Sequence, residues 1–314
     1  MFALRGIAIS LSVFAIIYSA ISLLVLLTWR TIYGRCRGYA AKWNADLLFA
    51  MRIAPLVASV LVTAGLTVPS FLLLEPRSLD EPLSAGPVLL GFCGAGLMMM
   101  GVLKAGKALS KASRTIRLWS NESRAIQSSV GVPVVSISGD APPVTAAGIV
   151  NPKVFLSEAA QAVLSADELG RALDHELAHV RRWDNLKKLL LCLAAFPVMR
   201  DLEQAWLEAS EMAADDAAVS NSAEALDLAA ALLKLSNLAS NRPVELMATL
   251  VYCPVSALNA RVERLLARTE YPQSGPKSVS WPRIGAAAAT LGAFAFAYTP
   301  LLIRVHAATE WLVR

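Results

Sequence analysis

Four apolar blocks, each long enough to cross a bilayer, constrain this chain more than any other feature. They run from about Ile7 to Trp29, Ile53 to Leu74, Leu83 to Leu103 and Ile284 to Ile303. A membrane-crossing helix needs roughly 20 mostly apolar residues, and all four blocks meet that length. The first exceeds the apolar core of a cleaved signal peptide, about 7–15 residues, and no small-residue cleavage site follows it. Composition agrees: charged residues are 17% of the chain and mean hydropathy is +0.52, against about 25% charged in ordinary soluble domains. No charged residue lies inside any block. That argues against a transporter, whose path needs polar groups within the membrane.

Loop charges orient the blocks. The first loop carries Arg30, Arg35, Arg37, Lys42 and Arg52 against Asp46. The second carries Glu75, Asp80 and Glu81 against Arg77, and the third block is followed by Lys104, Lys107, Lys111, Arg114, Arg117 and Arg124 against Glu122. Basic loops stay cytoplasmic. The expected topology therefore has the N-terminus outside, residues 104–282 in the cytoplasm, and a short tail outside after the fourth span. The net charge of +5 is explained by this topology, and no direct nucleic-acid binding is expected. Cys36, Cys93, Cys192 and Cys253 are too widely spaced to suggest a disulfide framework or a thiolate metal site.

The expected fold class is mainly α: a multi-pass membrane protein with four transmembrane helices and a cytoplasmic α+β domain. Its parts are residues 1–103 with three spans, 104–282 with the soluble domain, and 283–314 with the fourth span and tail. Residues 104–130 read as a basic helix, and 132–138 and 149–157 as β-branched strands. Ser165 and Glu168 form a capping box that opens a helix. Further helices are expected near 201–220, 223–240 and 256–269, and 271–282 reads as a Pro/Ser linker. The apolar stretch Leu189–Met199 is too short to span and reads as a buried core helix. Gly91 and Ala95, and Ala288 and Gly292, have the small-xxx-small spacing of close helix packing, although such residues are common in membrane helices anyway.

The chemistry lies in the capped helix, at His175-Glu176-Leu177-Ala178-His179. Histidines four apart leave one helix face and can hold one metal. Glu176 beside them can take a proton from the attacking water and pass it to the leaving amine. Zn²⁺ suits two imidazoles, a third protein ligand and an open position. The third ligand is expected to be a carboxylate. His306, the remaining histidine, lies beyond the last span. In 208–215 (EASEMAAD), Glu211 and Asp215 share a helix face among small residues. Glu211 could bind metal while Asp215 orients a ligand histidine. An ordinary solvated acidic face with Glu208 and Asp216 is the other reading.

HELAHVRRWDN at 175–185 and SEMAADDAAV at 210–219 resemble the BlaR/MecR-type bacterial membrane metallopeptidases, which are gluzincins. NPKVFLS before the helix and RVERLL at 261–266 are similar as well. The resemblance covers about residues 1–270. It implies His175, His179 and Glu211 as zinc ligands, Glu176 as base and Asp215 as a partner behind a ligand. The resemblance makes the cytoplasmic α+β domain an expected zincin-like metallopeptidase domain. Asp184 matches an acid of the family motif, with a helix-end or surface residue as the alternative. Arg261, in the RVERLL segment, is the candidate donor to the oxyanion, with a solvated helix arginine pairing with a nearby acid as the alternative. The resemblance further implies a cytoplasmic-membrane location and regulatory cleavage of a protein substrate, a transcriptional repressor among the candidates. In those receptors a penicillin-binding sensor domain follows the last span. Here about eleven residues follow Ile303 and contain no SxxK, so a signal is expected to enter through the spans, the outer loop or a membrane sensor partner. A non-catalytic membrane signalling or scaffold protein retaining a zinc site is the alternative function, and the intact Glu176 speaks against it.

Overall fold

The structure is a computed structural model and describes residues 2–36, 38–76, 84–126, 131–138, 142–240, 258–270 and 300–310. Among these, three helical runs are long and apolar enough to cross a membrane. The first is α1 (Phe2–Cys36). The second is one continuous run: α2 (Ala41–Val62), a π-helical turn at Thr63–Thr67, and α3 (Val68–Leu74). The third is α4 (Ala85–Asn121). Each outruns its apolar block, because helical hydrogen bonding continues past the first charged residue and long basic side chains can reach outward from an apolar surface. Apolar side chains such as Leu23, Leu27, Leu73 and Phe92 face outward on these helices, as a lipid-facing surface requires. The fourth block falls outside the described residues except at its end, where residues 300–310 are helical. The expected linker at 271–282 and the pair Ala288 and Gly292 also lie outside them.

Two expectations about the spans change in detail. Gly91 does allow close packing, and Gly94 does so as well. A Cβ at Gly94 would sit 2.3 Å from the Leu11 carbonyl of α1, and one at Gly91 would sit 3.2 Å from the Ala8 carbonyl. Arg52, read as a loop charge, instead lies within α2 and is 1% exposed. The second span thus carries a buried cation just before its apolar block begins.

The region after α4 holds a four-stranded sheet in the order β1-β2-β4-β3. Its strands are β1 (Ser123–Ile126), β2 (Val134–Ile137), β3 (Val144–Ala147) and β4 (Lys153–Ser157). β2 and β4 are parallel, while the outer strands β1 and β3 run antiparallel to their neighbours. β2 and β4 correspond to the two expected strands. The expected basic helix stops at Asn121, and β1 and β3 were not anticipated. Gly148, with φ +105°, turns the chain out of β3. A Cβ there would meet the Asn151 carbonyl at 2.9 Å, so the turn needs glycine on both conformational and steric grounds.

Among the described residues between the sheet and Glu270, six further helices follow: α5 (Glu158–Val163), α6 (Ala166–Arg181), α7 (Asp184–Leu193), α8 (Arg200–Ala218), α9 (Ser222–Ser240) and α10 (Leu258–Glu270). The capping box is present as expected: the Glu168 amide donates to Ser165 Oγ at 3.3 Å, and the Ser165 amide to Glu168 Oε2 at 2.8 Å. The stretch Leu189–Met199 is only partly the expected core helix. α7 ends at Leu193, and the connection to α8 is buried against the spans rather than in a core of the soluble region. Leu191, Met199, Leu202 and Trp206 cluster with Val25 and Trp29 of α1 and with Ala45 and Leu48 of α2. α10 packs on α9 through Leu265 against Ala225, Leu228 and Ala229.

Candidate metal centre

α6 buries Ala172, His175, Leu177 and Ala178 and packs against α8, and the i, i+4 spacing puts His175 and His179 on one helix face. On α8, Ala213 and Ala214 are buried near Glu211 and Asp215 along the helix, and Ala209 packs in the cluster with α1 and α2. The metal-facing atoms converge. His175 Nε2 and His179 Nε2 are 3.2 Å apart. Glu211 Oε2 lies 3.5 Å from the first, and Glu211 Oε1 lies 3.4 Å from the second. Ligands at 2.0–2.1 Å on the corners of a tetrahedron stand roughly 3.3–3.4 Å apart. The three donors therefore already hold the spacing that zinc requires, and two imidazoles with one carboxylate are a donor set suited to a catalytic zinc. The residues present fit the metal.

Behind each histidine stands a carboxylate. Asp184 Oδ2 is 2.7 Å from His179 Nδ1. Asp215 Oδ1 is 2.9 Å from His175 Nδ1, close but off the ring's hydrogen-bond line. Carboxylates so placed fix the ring tautomer and turn the other nitrogen toward a metal. Asp184 reaches its position through an unusual turn. Trp183 adopts a left-handed conformation, φ 58°, which costs a bulky residue energy that the surroundings must supply. The turn reverses the chain within two residues of α6 and returns the first residue of α7 to His179. Asp184 stands at a helix end, as the first residue of α7, but it is fully buried and so is not a surface residue.

The solvated-face reading of α8 does not describe Glu211 and Asp215 either, which are 6% and 1% exposed. Glu208 instead accepts from Gln204 on its own helix, and Asp216 pairs with Arg264 of α10. Arg261 of α10 is buried, so the solvated-arginine alternative does not describe it. Its guanidinium donates to both oxygens of Asp215 at 2.8 and 2.7 Å and pairs with Glu211 at 3.0 Å. The same group comes within 3.5 Å of His175 Nε2, on the metal-facing side of the ring.

These contacts set the charges. Burial would raise the Asp215 carboxyl, but Arg261 and His175 bring it down to about 2. Burial also opposes ionisation of Glu211, yet His179, His175 and Arg261 hold it well below the usual carboxylate range. Asp184 is lowered as well, against its burial, by His179, Arg182 and Lys187. For His175, burial disfavours the cation, and the carboxylates of Asp215 and Glu211 reverse that and raise it to about 9. Arg261 beside Glu211 and Asp215, and Arg182 and Lys187 beside Asp184, supply the positive charge that faces these buried carboxylates.

Glu176 sits one residue along α6 and points at the sheet edge. Its Oε2 accepts from the Ala146 amide of β3 at 2.6 Å. Asn185, one residue after Asp184, donates to the Ala146 and Gly148 carbonyls at 3.2 Å each. Neither contact was anticipated. An asparagine and a backbone amide of β3 carry no chemical signature, and only the turn at Trp183 brings Asn185 to the strand. Beside His179 is a cavity of about 70 Å³, lined among others by Gly148, Ile149, Val180, Trp183 and Leu186. His306 is distant from the centre: it lies 4.0 Å from Glu75, alongside Arg5 and Glu310, at the opposite end of α1 from α8.

The family model described as BlaR1 peptidase M56 matches residues 97–265, more than half of the chain. The chain belongs to this family. It is thus a BlaR/MecR-type membrane metallopeptidase, and the match covers α6 with both histidines, α8 with Glu211 and α10 as far as Leu265. The match begins within α4, so the peptidase region of this BlaR1-type chain and its third membrane helix share one continuous helix. No curated protein matches the chain.

Proposed function

We propose that the chain is a membrane-embedded zinc endopeptidase of the gluzincin type, hydrolysing a peptide bond in a cytoplasmic protein as a step in signalling. The observation that carries this reading is the convergence of His175, His179 and Glu211 at tetrahedral-edge spacing, with a separate carboxylate behind each imidazole. Bound zinc would supply Lewis-acid activation of water and of the scissile carbonyl. Glu176 takes the proton of the attacking water and delivers it to the leaving amine. Asp184 and Asp215 hold the imidazoles in register. Arg261, on the metal-facing side of His175, offers a permanently charged donor to the developing oxyanion. The intact Glu176 favours catalysis over a scaffold that merely retains zinc, since a structural site has no use for a base there.

The topology that fits is an N-terminus outside, a fourth span within 283–314, and the peptidase region, 104–282, in the cytoplasm of a bacterium. A reporter fused near Ser128 should then behave as cytoplasmic and one fused after Arg314 as external, and the reverse pattern would overturn it. The substrate class that fits is a soluble regulator such as a transcriptional repressor, with activation through the spans or a membrane sensor partner. A comparison of cleaved protein termini between wild-type cells and cells carrying Glu176→Gln tests the activity. New termini present only in the wild type support it, and identical sets contradict it.

A further inference from the structure

Asp184 and Glu211 are carried at one end of a hairpin, α7 and α8, whose other end lies among the membrane helices. The packing there is close. Phe196, in the connection, meets Tyr18 of α1 edge to face at 5.5 Å. A Cβ at Gly101 of α4 would sit 2.2 Å from the Leu193 carbonyl, so only glycine admits the end of α7. Into this apolar junction α2 inserts one charge. Arg52 donates through Nε and Nη2 to Glu203 Oε1 at 2.9 and 2.7 Å. Its Nη2 also donates to the carbonyl of Ala194, the residue that caps α7. One guanidinium from a span thus ties together the end of α7 and the start of α8.

The two helices are rigid struts from that tie to the metal centre. Glu203 is eight residues before Glu211, and Asp184 is ten before Ala194. At 1.5 Å per residue the lever arms are about 12 and about 15 Å. The small rotations that packed helices allow would move Glu211 and Asp184 by a sizeable fraction of an ångström, and metal-site geometry tolerates about half an ångström. A buried cation is retained in an apolar junction only with its partners in place, and a planar fork fixes the mutual geometry of a carboxylate and a carbonyl, which a freely rotating ammonium does not. We infer that Arg52 is a positioning residue for the zinc site: through Glu203 and Ala194 it fixes the membrane end of the α7–α8 hairpin. The position of α2 relative to α1 and α4 thereby sets how well Glu211 and Asp184 meet the two histidines.

This inference rests on the zinc reading of the centre, and zinc affinity tests it without any substrate. The full-length, metal-free protein in detergent or nanodiscs is titrated with zinc against a chelator of known affinity. Arg52→Gln should weaken zinc binding tenfold or more with helical content preserved. Arg52→Lys should recover only part of that, because it restores the charge and not the fork. Glu203→Gln should weaken binding too, and the double variant Arg52→Gln/Glu203→Gln should be no worse than the worse single one. Leu48→Ala, which thins the same apolar cluster, should lower the unfolding temperature and leave the affinity of the folded protein within a factor of two. Affinity within a factor of two of wild type for both Arg52→Gln and Glu203→Gln would overturn the inference. So would an equal loss in Leu48→Ala, which would make the effect one of general destabilisation. Should Arg52→Gln fail to fold, Arg52→Lys and Glu203→Gln decide the matter. Wild-type zinc binding by a His175→Ala/His179→Ala variant would instead remove the zinc reading itself, and is told apart by that result.

Discussion

The two ends of α8 bury their side chains by opposite means. Toward its C-terminus, Ala209, Ala213 and Ala214 contribute little volume, and the helix is held by charge: Glu211 and Asp215 against His175, His179 and Arg261. Toward its N-terminus, Leu202 and Trp206 fill an apolar cluster with α1 and α2, where the buried charge is Arg52 on Glu203; a second pair, Asp201 with Arg30, is exposed. The difference teaches where the helix can yield. A cluster of large apolar side chains loses a few kcal/mol on truncation and still packs. A buried carboxylate that loses its partner leaves an uncompensated charge. The metal end is therefore specified residue by residue, and the membrane end by volume plus the Arg52–Glu203 pair.

The contrast predicts a sharp asymmetry under mutation. Glu211→Ala should weaken zinc binding by several orders of magnitude, while Glu208→Ala, one turn earlier on the same helix, should change it less than twofold. Similar small effects in chelator competition would mean that Glu211 is not a ligand. Next in size is Arg261→Ala. As an oxyanion donor it should lower turnover by roughly a hundredfold or more, with zinc content near one per chain. Turnover within a factor of about two would retire that role, and loss of zinc in parallel would show that it acts by holding Glu211 and Asp215. Asp184→Ala and Asp215→Ala should each cost about ten- to a hundredfold in zinc affinity. A null result at Asp184 would leave the strained turn at Trp183 without a part in building the metal centre.

The smallest effect lies at the far end of α6. Ser165→Ala should destabilise the protein by about 1 kcal/mol through the lost cap and leave zinc affinity unchanged. Glu168 in the same box is held below its ordinary pKa by the Lys234 ammonium and the Ser165 amide. A carboxyl lowered in the folded state adds stability that is present above its unfolded value and lost as pH falls through the folded one. Acid unfolding between about pH 5 and 3 should accordingly be shallower in Glu168→Gln than in wild type, and identical slopes would contradict the assignment.

The same contrast explains what the sequence made legible. His175 and His179 announce themselves by spacing, and Glu211 and Asp215 by theirs, because helix geometry converts i, i+4 into a shared face. Asp184 follows His179 by five residues across a turn, a spacing with no helical meaning until Trp183 takes its left-handed conformation. Arg261 comes from a helix far along the chain, and only the packing of α10 on α9 aims it at the centre. At the membrane end the signals misled. Arg52 borders an apolar block and reads as a loop charge, although its helix begins eleven residues earlier. Leu189–Met199 reads as a core helix because nothing local tells a core made of soluble helices from one made of spans. β1 (SRAI) and β3 (VTAA) contain alanines, which strands disfavour, where β2 (VVSI) and β4 (KVFLS) contain none.

The most direct test of the central claim is metal analysis of the purified, full-length protein beside its His175→Ala/His179→Ala variant. The account predicts about one zinc per chain in the wild type and nearly none in the variant, with both retaining the helical content of the folded chain. Equal zinc in the two proteins would contradict it.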